Sequence, residues 1–400
     1  MKKKVLWICP KWLLPAQDGQ RVASLNLLRQ ITKDCDVSLL SFCLPDDIPD
    51  ITLLKKETGV QEVIAIPISS RKINLSWILL FLAGSLKLTK LPITLFRFTR
   101  RSAQAQAQAW IEKNGVWDCV VFDTVHSAGL FYQHNSFFFP KSLGKIFIRA
   151  HNVEYELWEM TAKKTRFPLF YSQAKLMKEY ERELLRIAEY SFTVSEEDKA
   201  KLQLLAPDAT FEVLPIGLPF PEAVPESKSE NTLLFLGKLD WPPNRDGLTW
   251  FLTKVWPKVQ AMKPELKLLV AGSGDSHWLQ TLLPLRGVNF LGKVPEVNEV
   301  YAKSNAMIVP IFYGSGTRVK AIEAARFGLA TISTRLGVQG LELQNQESVQ
   351  LAETEDEWIQ ALISFDSASA KQLGSNAFYA LKNRFAEQSV AQILLRKIKV

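Results

Sequence analysis

The sequence predicts an α/β protein made of two doubly wound parallel sheets, and three observations carry that prediction. Short apolar runs alternate with helical patterns from one end to the other, as expected of parallel strands covered by helices on both faces. The alternation breaks once, in a Pro-rich polar stretch at 215–231, and then restarts. A chain of 400 residues, 47% hydrophobic and 22% charged, is long enough for two domains with separate cores. This composition excludes disordered and fibrous classes.

Taken in order, the first apolar run is 5–9, preceded by Lys2, Lys3 and Lys4. It resembles an export signal, but it stops at Pro10-Lys11, too early for one, and reads as a first buried strand of a cytoplasmic chain. Val22, Leu25, Leu28 and Ile31 then recur on one helical face. Strand-like runs follow at 37–42, 60–66, 119–123, 146–149, 191–194 and 211–214. Beyond the Pro-rich stretch the runs are 232–236, 266–271, 288–291, 306–311 and 329–333. The expected division is a domain at 1–218, a second at 219–384, and a terminal segment at 385–400. In that last segment Val390, Ile393, Leu394 and Ile398 keep helical spacing, giving a helix that either crosses back to the first domain or frays.

Cys9, Cys35, Cys43 and Cys119 have neither CxxC spacing nor histidine partners, so they read as buried reduced thiols, and no metal site is expected. A net charge of +8 favours an anionic partner. No basic run interleaves with aromatics in the manner of a nucleic-acid module, which sets nucleic acid aside. The segment 71–101 carries Arg71, Lys72, Lys87, Lys90, Arg97, Arg100 and Arg101 without one acidic residue. Its apolar centre, 75–86, falls short of the roughly 20 residues a membrane span requires. Two readings stand: a basic amphipathic surface on anionic lipid, or Trp77, Ile78, Leu80 and Phe81 packed beneath the first sheet.

The stretch with the most chemistry is Gly314-Ser315-Gly316-Thr317-Arg318-Val319-Lys320, between the runs 306–311 and 329–333. Glycines that let the backbone approach an anion, followed by a helix N-terminus and two cations, describe a phosphate cradle. Glu323 lies roughly 9 Å beyond Thr317 along a helix axis, the reach from a diphosphate to its ribose. The plain alternative is a turn before a helix whose Lys320 and Glu323 form a surface ion pair. Ligands of doubly wound sheets bind at the carboxyl ends of strands. Three loops occupy such ends: 9–20 with Gly19, 150–154, and the Gly-Ser-Gly turn. The active site is accordingly expected between the domains, facing across a cleft.

Five segments in order carry a family resemblance: Leu236-Gly237-Lys238-Leu239-Asp240-Trp241-Pro242-Pro243-Asn244, Leu269-Val270-Ala271-Gly272-Ser273-Gly274, Val288-Asn289-Phe290-Leu291-Gly292-Lys293-Val294, the Gly-Ser-Gly-Thr-Arg helix, and Ser333-Thr334-Arg335-Leu336-Gly337-Val338-Gln339-Gly340-Leu341. Together they resemble the retaining GT-B glycosyltransferases of the group 1, or family four, type, in a bacterial branch linked to surface polysaccharide. The resemblance implies two Rossmann-like domains, an acceptor domain at 1–218 and a nucleotide-sugar donor domain at 219–384, and transfer of a sugar from a nucleotide diphosphate sugar to an acceptor hydroxyl with retention, without cofactor. Glu323 matches the family's second motif glutamate, which holds the ribose. Ser315 stands where the first glutamate meets the donor sugar. Lys238 matches the basic residue near the donor diphosphate, with Asn244 and the alternative Arg245 behind it. Gly19 matches the glycine approaching the donor phosphate, and His151 a histidine beside the donor sugar; His126 is a weaker candidate, and Glu154 and Glu156 read as helix-surface charges. Gly316, Thr317, Arg318 and Lys320 complete the donor site.

A leaving diphosphate gathers negative charge, which Lys238, Arg318, Lys320 and the helix N-terminus would meet. No Asp-x-Asp pair sits at a strand end, which fits a metal-independent reaction. The implied donor is a UDP-, GDP- or ADP-sugar, and the acceptor a sugar or a lipid-linked sugar. The implied location is the cytoplasm, peripheral on the inner face of the plasma membrane through 71–101. Two rivals stay open: a nucleotide-sugar epimerase on the same two-domain scaffold and, on the strength of the serine at 315, a catalytically weak nucleotide-sugar-binding subunit of a polysaccharide assembly complex.

Overall fold

The computed structural model describes residues 2–16, 19–45, 47–68, 75–86, 88–225, 231–314 and 319–400. They gather into two compact units, Met1–Gly217 with Glu387–Val400, and Leu218–Ala386.

The first unit begins β1 (Lys3–Cys9), α1 (Gly19–Ile31), β2 (Cys35–Cys43), α2 (Ile51–Thr58) and β3 (Glu62–Pro67). It continues α3 (Leu75–Ser85), α4 (Arg101–Lys113), β4 (Cys119–Asp123), a hairpin of β5 (Tyr132–Gln133) and β6 (Ser136–Phe137), then β7 (Lys145–Ala150). α5 (Glu154–Thr165), α6 (Leu169–Ile187), β8 (Tyr190–Thr193), α7 (Glu196–Leu205) and β9 (Phe211–Val213) follow. The sheet order is β3-β2-β1-β4-β7-β8-β9, every neighbour parallel. Strand alternation divides the core. Val5, Trp7, Val37 and Leu39 face α1, while Leu6, Ile8, Leu40 and Phe42 face Ala103 and Ile111 of α4 and Met177 and Leu184 of α6. Because both faces are covered, β1 reads as an unbroken apolar run with no polar side.

The anticipated run at 60–66 becomes a strand only at Glu62. Helix α2 ends on Gly59 in the left-handed region at φ 75°, its N–H bonded to Lys55 O, and the next residues turn the chain. The hairpin has no signal in the sequence, since two-residue strands are too short for periodicity. In the 71–101 segment, Arg71, Lys72 and Lys87 lie outside the described residues. Helix α3 packs one face onto α6, with Phe81 buried, and leaves Ile78, Leu79 and Leu82 exposed. Among the described residues no helix is long and apolar enough to cross a membrane.

The second unit runs β10 (Thr232–Leu236), α8 (Pro242–Trp250), α9 (Trp256–Met262), β11 (Lys267–Ala271), α10 (His277–Gln280), β12 (Val288–Gly292) and α11 (Val297–Ala302). It closes with β13 (Ala306–Val309), α12 (Val319–Arg326), β14 (Ala330–Ser333), β15 (Gln350–Leu351), α13 (Glu355–Ile363) and α14 (Ser367–Phe385). Its parallel sheet is ordered β12-β11-β10-β13-β14-β15. One face packs Leu233, Phe235 and Ile308 against Trp256 and Trp358, the other Leu234, Met307 and Val309 against Tyr301 and Ala324.

The last helix, α15 (Glu387–Lys399), belongs to the first unit. Val390, Ala391, Leu394, Leu395 and Ile398 enter the core on the α1 side of the sheet. Lys399 pairs with Asp34 at 2.9 Å and Lys397 with Glu212 at 3.0 Å.

Candidate functional site

In the second unit the loops after β10, β11 and β13 converge. Gly237 and Gly272 face one another so closely that a Cβ on Gly272 would overlap the Gly237 carbonyl oxygen, and one on Gly237 would lie 2.8 Å from Asn244 Nδ2. Gly314 opens the following turn at φ 115°, and a Cβ there would sit 3.1 Å from Pro243 Cγ. Gly314 thus rests on the Pro-Pro start of α8, where a missing N–H is no loss. Ser315, Gly316, Thr317 and Arg318 lie outside the described residues.

Three predicted site residues are coupled directly. Lys320 donates from Nζ to Asn244 Oδ1 at 2.7 Å, and Asn244 Nδ2 donates to the Lys238 carbonyl at 2.8 Å. Asn244 is only 3% exposed. It is a buried bridge that fixes the Lys320 ammonium, which also stands 5.1 Å from the Phe235 ring centroid. The Lys238 side chain is 65% exposed and 3.5 Å from Asp240. Arg245 turns to Asp246 at 3.2 Å. One turn along α12 from Lys320, Glu323 accepts the Tyr301 hydroxyl at 2.9 Å. Burial raises the Glu323 carboxyl above its usual range, against the Tyr301 hydrogen bond and the Arg326 and Lys320 charges. Burial likewise lifts Tyr301, so it stays a neutral donor.

In the first unit, strand order reverses between β1 and β4, which opens a crevice at their carboxyl ends. Asp123 closes β4 there with no exposed surface. Its carboxylate accepts from Trp7 Nε1 at 3.2 Å, Ser24 Oγ at 2.5 Å, Arg149 Nη1 at 3.0 Å and His151 Nε2 at 2.7 Å. Complete burial would push Asp123 up, but the Arg149 charge and hydrogen bonds from His151 and Ser24 hold it well below the usual carboxylate range. Burial and the Arg149 charge depress His151, outweighing Asp123. The ring is therefore neutral at pH 7. With Nε2–H given to the carboxylate, Nδ1 keeps a lone pair. Gly19 begins α1, exposed, with open space around it.

Beside this cluster the first unit encloses a cavity of about 770 Å³. Its wall includes the rings of Phe42, Trp77, Phe96, Trp158 and Phe170 and the cations Lys11, Arg21 and Arg97. Its polar side includes Thr94, Thr124, His126, Asn152 and Glu154. Glu154, expected to be a helix-surface charge, is instead a cavity residue 3.9 Å from His126, because α5 starts directly after β7 at the crevice. Glu156 pairs with Lys201 at 2.9 Å. The N-terminus of α5 is held by Glu181 of α6, which accepts from Glu154 N at 3.0 Å and Tyr155 N at 2.8 Å. Burial, and then the Glu154 charge, push Glu181 up to about 8. The sequence reading misses Thr124, Arg149 and Glu181, although a charge ending an apolar strand run, as Arg149 does, is a visible signal.

Residues 230–365 match the family model described as glycosyl transferases group 1. A stretch of 175 residues, 41% of the chain, is 26% identical to an uncharacterized 44.6 kDa protein in the cps region of Klebsiella pneumoniae, and it spans only 45% of that relative. The fold is similar to Anabaena HepE, solved with UDP and glucose, at TM-score 0.64 and 11% identity over 99% of both chains. Staphylococcus aureus TarM, solved as a point mutant with Fondaparinux, alpha-GlcNAc-glycerol and UDP, matches at TM-score 0.65 and 10% identity over 100% of both. A glycosyltransferase from Rickettsia africae matches at TM-score 0.59 and 13% identity, over 100% of this chain and 98% of that one. The parallel sheets, the order of their strands and the family match agree: residues 230–365 are a group 1 glycosyl transferase domain, in a chain with the GT-B fold.

Proposed function

We propose that the protein transfers a sugar from a nucleotide diphosphate sugar to an acceptor hydroxyl with retention at the anomeric carbon, in polysaccharide or glycolipid synthesis. The observation that carries this reading is the α12 pair: Lys320 fixed by Asn244, and Glu323 one turn further on, oriented by Tyr301. Glu323 accepts the two ribose hydroxyls, while Lys320, Lys238, Arg318 and the N-terminal amides of α12 meet the diphosphate, with Ser315, Gly316 and Thr317 in the turn and Gly19 of the first unit at the phosphate. His151 offers Nδ1 to a donor-sugar hydroxyl. The complexes of HepE with UDP and with UDP-glucose support a uridine nucleotide over GDP or ADP.

In the reaction the bond between the anomeric carbon and the phosphate oxygen breaks, and the electron pair leaves with the nucleoside diphosphate. The acceptor oxygen bonds to the same face of the anomeric carbon, and its proton passes to the departing phosphate oxygen. The chain's cations, not a divalent ion, balance the charge. The acceptor is a sugar or a lipid-linked sugar, and the donor places the reaction in the cytoplasm, on the inner membrane face if 71–101 meets anionic lipid.

The test measures UDP-glucose hydrolysis, transfer and UDP binding for Glu323→Ala and Lys320→Ala. Lys320→Ala should lower turnover about 10²–10³-fold, as expected for one lost transition-state donor. Unchanged activity in both variants overturns the assignment. The same assay separates the rivals: an epimerase forms product without acceptor, and a binding subunit holds UDP without turning it over.

A further inference from the structure

The second unit carries a groove of about 550 Å³ whose wall includes none of Lys238, Lys320 and Glu323. It runs between α8 and α10, which cover the same face of the sheet, and its size falls within the roughly 300–1,000 Å³ of small-molecule sites. On α8, Asn244, Gly247 and Leu248 are buried, whereas Arg245 and Asp246 are exposed and line the groove with Thr249 and Trp250. Trp278 of α10 and Thr281 just after it form the opposite side.

Both indoles are held in place. Trp278 donates from Nε1 to the Leu239 carbonyl at 3.1 Å and packs against the cluster that buries Phe251 and Trp358. Trp250 meets Phe312 edge-on at 4.8 Å and Trp358 at 6.3 Å. Each of the two rings is nonetheless partly exposed. A tryptophan fixed by its neighbours yet open to solvent offers a flat apolar face at little entropic cost. The helix after Trp250 also departs from α geometry, with a π-helical turn at Phe251–Val255 in which Thr253 Oγ1 donates to the Thr249 carbonyl at 2.8 Å. Turns of that kind recur at functional sites.

Polar groups beside the rings define the ligand further. Asp246 accepts from Arg245 Nε at 3.2 Å through one carboxylate oxygen and from the Tyr313 hydroxyl at 2.5 Å through the other, and each oxygen can accept once more. The two Nη groups of Arg245, Thr249 Oγ1 and Trp250 Nε1 donate to no described residue. The cation and the anion on this wall pair with one another, so the groove carries no net charge to favour a phosphate. Flat apolar faces bordered by donors and acceptors in alternation match a sugar ring, whose C–H faces lie on indoles and whose hydroxyls each donate and accept.

We propose that this groove is a second saccharide site, separate from the donor pocket, holding a neutral stretch of about two or three sugar units. The sugar rings lie on Trp250 and Trp278, and vicinal hydroxyls bond to Asp246 and Arg245. Phe312 and Tyr313, 42% and 46% exposed, lead directly into Gly314, so the groove adjoins the stem of the turn assigned to the donor diphosphate. Saccharide held there stays on the enzyme while the donor is exchanged. The proposal rests on the transferase reading only for calling that saccharide the polymer being built; the site itself stands on the groove.

The experiment titrates the full chain with maltotetraose, cellotetraose and chitotetraose, with glucose and N-acetylglucosamine, and with tetragalacturonate, reading tryptophan fluorescence and heat with and without saturating UDP. At least one neutral tetrasaccharide should bind saturably, about tenfold or more tighter than its monosaccharide and tighter than tetragalacturonate, and UDP should change its affinity by less than about twofold. Trp278→Leu should weaken it by about three- to tenfold, the loss expected of a stacked ring, and Trp278→Phe should weaken it less. Asp246→Ala should weaken it by about tenfold or more, as loss of hydrogen bonds to a charged group predicts. Thermal midpoints report that the variants are folded, and because Asp246 is exposed its variant keeps the test decisive if a tryptophan variant fails to fold. Absence of saturable binding by all three neutral tetrasaccharides, displacement by UDP, tetragalacturonate binding as tightly, or binding indifferent to Asp246→Ala overturns the proposal. If UDP binds and depends on Glu323 while no tetrasaccharide binds, only the groove inference falls; if a tetrasaccharide binds as expected and UDP does not, the donor assignment falls instead.

Discussion

His151 donates from Nε2 to Asp123 Oδ1 at 2.7 Å, and the same carboxylate neutralises Arg149, so one enclosed anion sets both the tautomer of the ring and the charge balance beneath it. Asp123→Asn leaves the Arg149 guanidinium buried without its counter-charge and should destabilise the protein by about 3–5 kcal/mol in denaturant unfolding. Replacing Arg149 by Met in the same chain should recover most of that loss. The carboxyl of Asp123 is depressed on folding. Its stabilisation is therefore complete above its unfolded value of about 4 and fades as pH falls through the folded one. The Asn variant should lack that part of the acid sensitivity.

Tyr301→Phe tests the ribose contact without removing it. The Tyr301 hydrogen bond lowers a Glu323 carboxyl that burial has raised. Taking it away should raise Glu323 further. If the ionised carboxyl grips the ribose, UDP affinity at high pH should change little, and its loss on acidification should begin at higher pH in Tyr301→Phe. Overlapping pH profiles measured by calorimetry would count against the contact.

Glu181 should make the protein weaker in mild base. Its carboxyl sits at about 8 in the folded state, raised first by burial and then by Glu154. The folded chain thus keeps a proton that the unfolded chain releases above about pH 4.3. Stability should fall as pH rises from that value through about 8. Glu181→Gln should flatten this slope, read as the urea midpoint at several pH values.

Leu394→Ala should cost about 2–5 kcal/mol, the range for a buried leucine emptied to a methyl. Leu394 is fully buried with Leu28 and Val390 in the first unit. The loss should appear as a lower urea midpoint when unfolding is followed by circular dichroism.

The strands are legible in the sequence because parallel sheets covered on both faces leave continuous apolar runs, as at Val5, Leu6, Trp7 and Ile8. Lys320 and Glu323 are legible because one helix carries both, and their spacing is local. The cavity is not. Lys11, Phe42, Arg97, Thr124, Trp158 and Phe170 come from separate segments that only the sheet topology assembles, and no spacing links them. Glu154 is misread from sequence because its charge suggests exposure, and the crevice into which α5 starts is invisible there. Glu181 does leave a trace: with Met177, Tyr180 and Leu184 it occupies one helical stripe, and a carboxylate on an apolar stripe signals a buried acid.

Helix α15 follows the whole second unit in the chain yet fills a gap in the first. On the ribosome, the portion made earliest therefore waits with an open apolar groove until about 170 further residues have emerged, which the synthesis rate of about 5–20 residues per second stretches to roughly ten seconds or more. Such a nascent chain is a natural client for a chaperone that shields that groove, and the half that finishes first is the one made second.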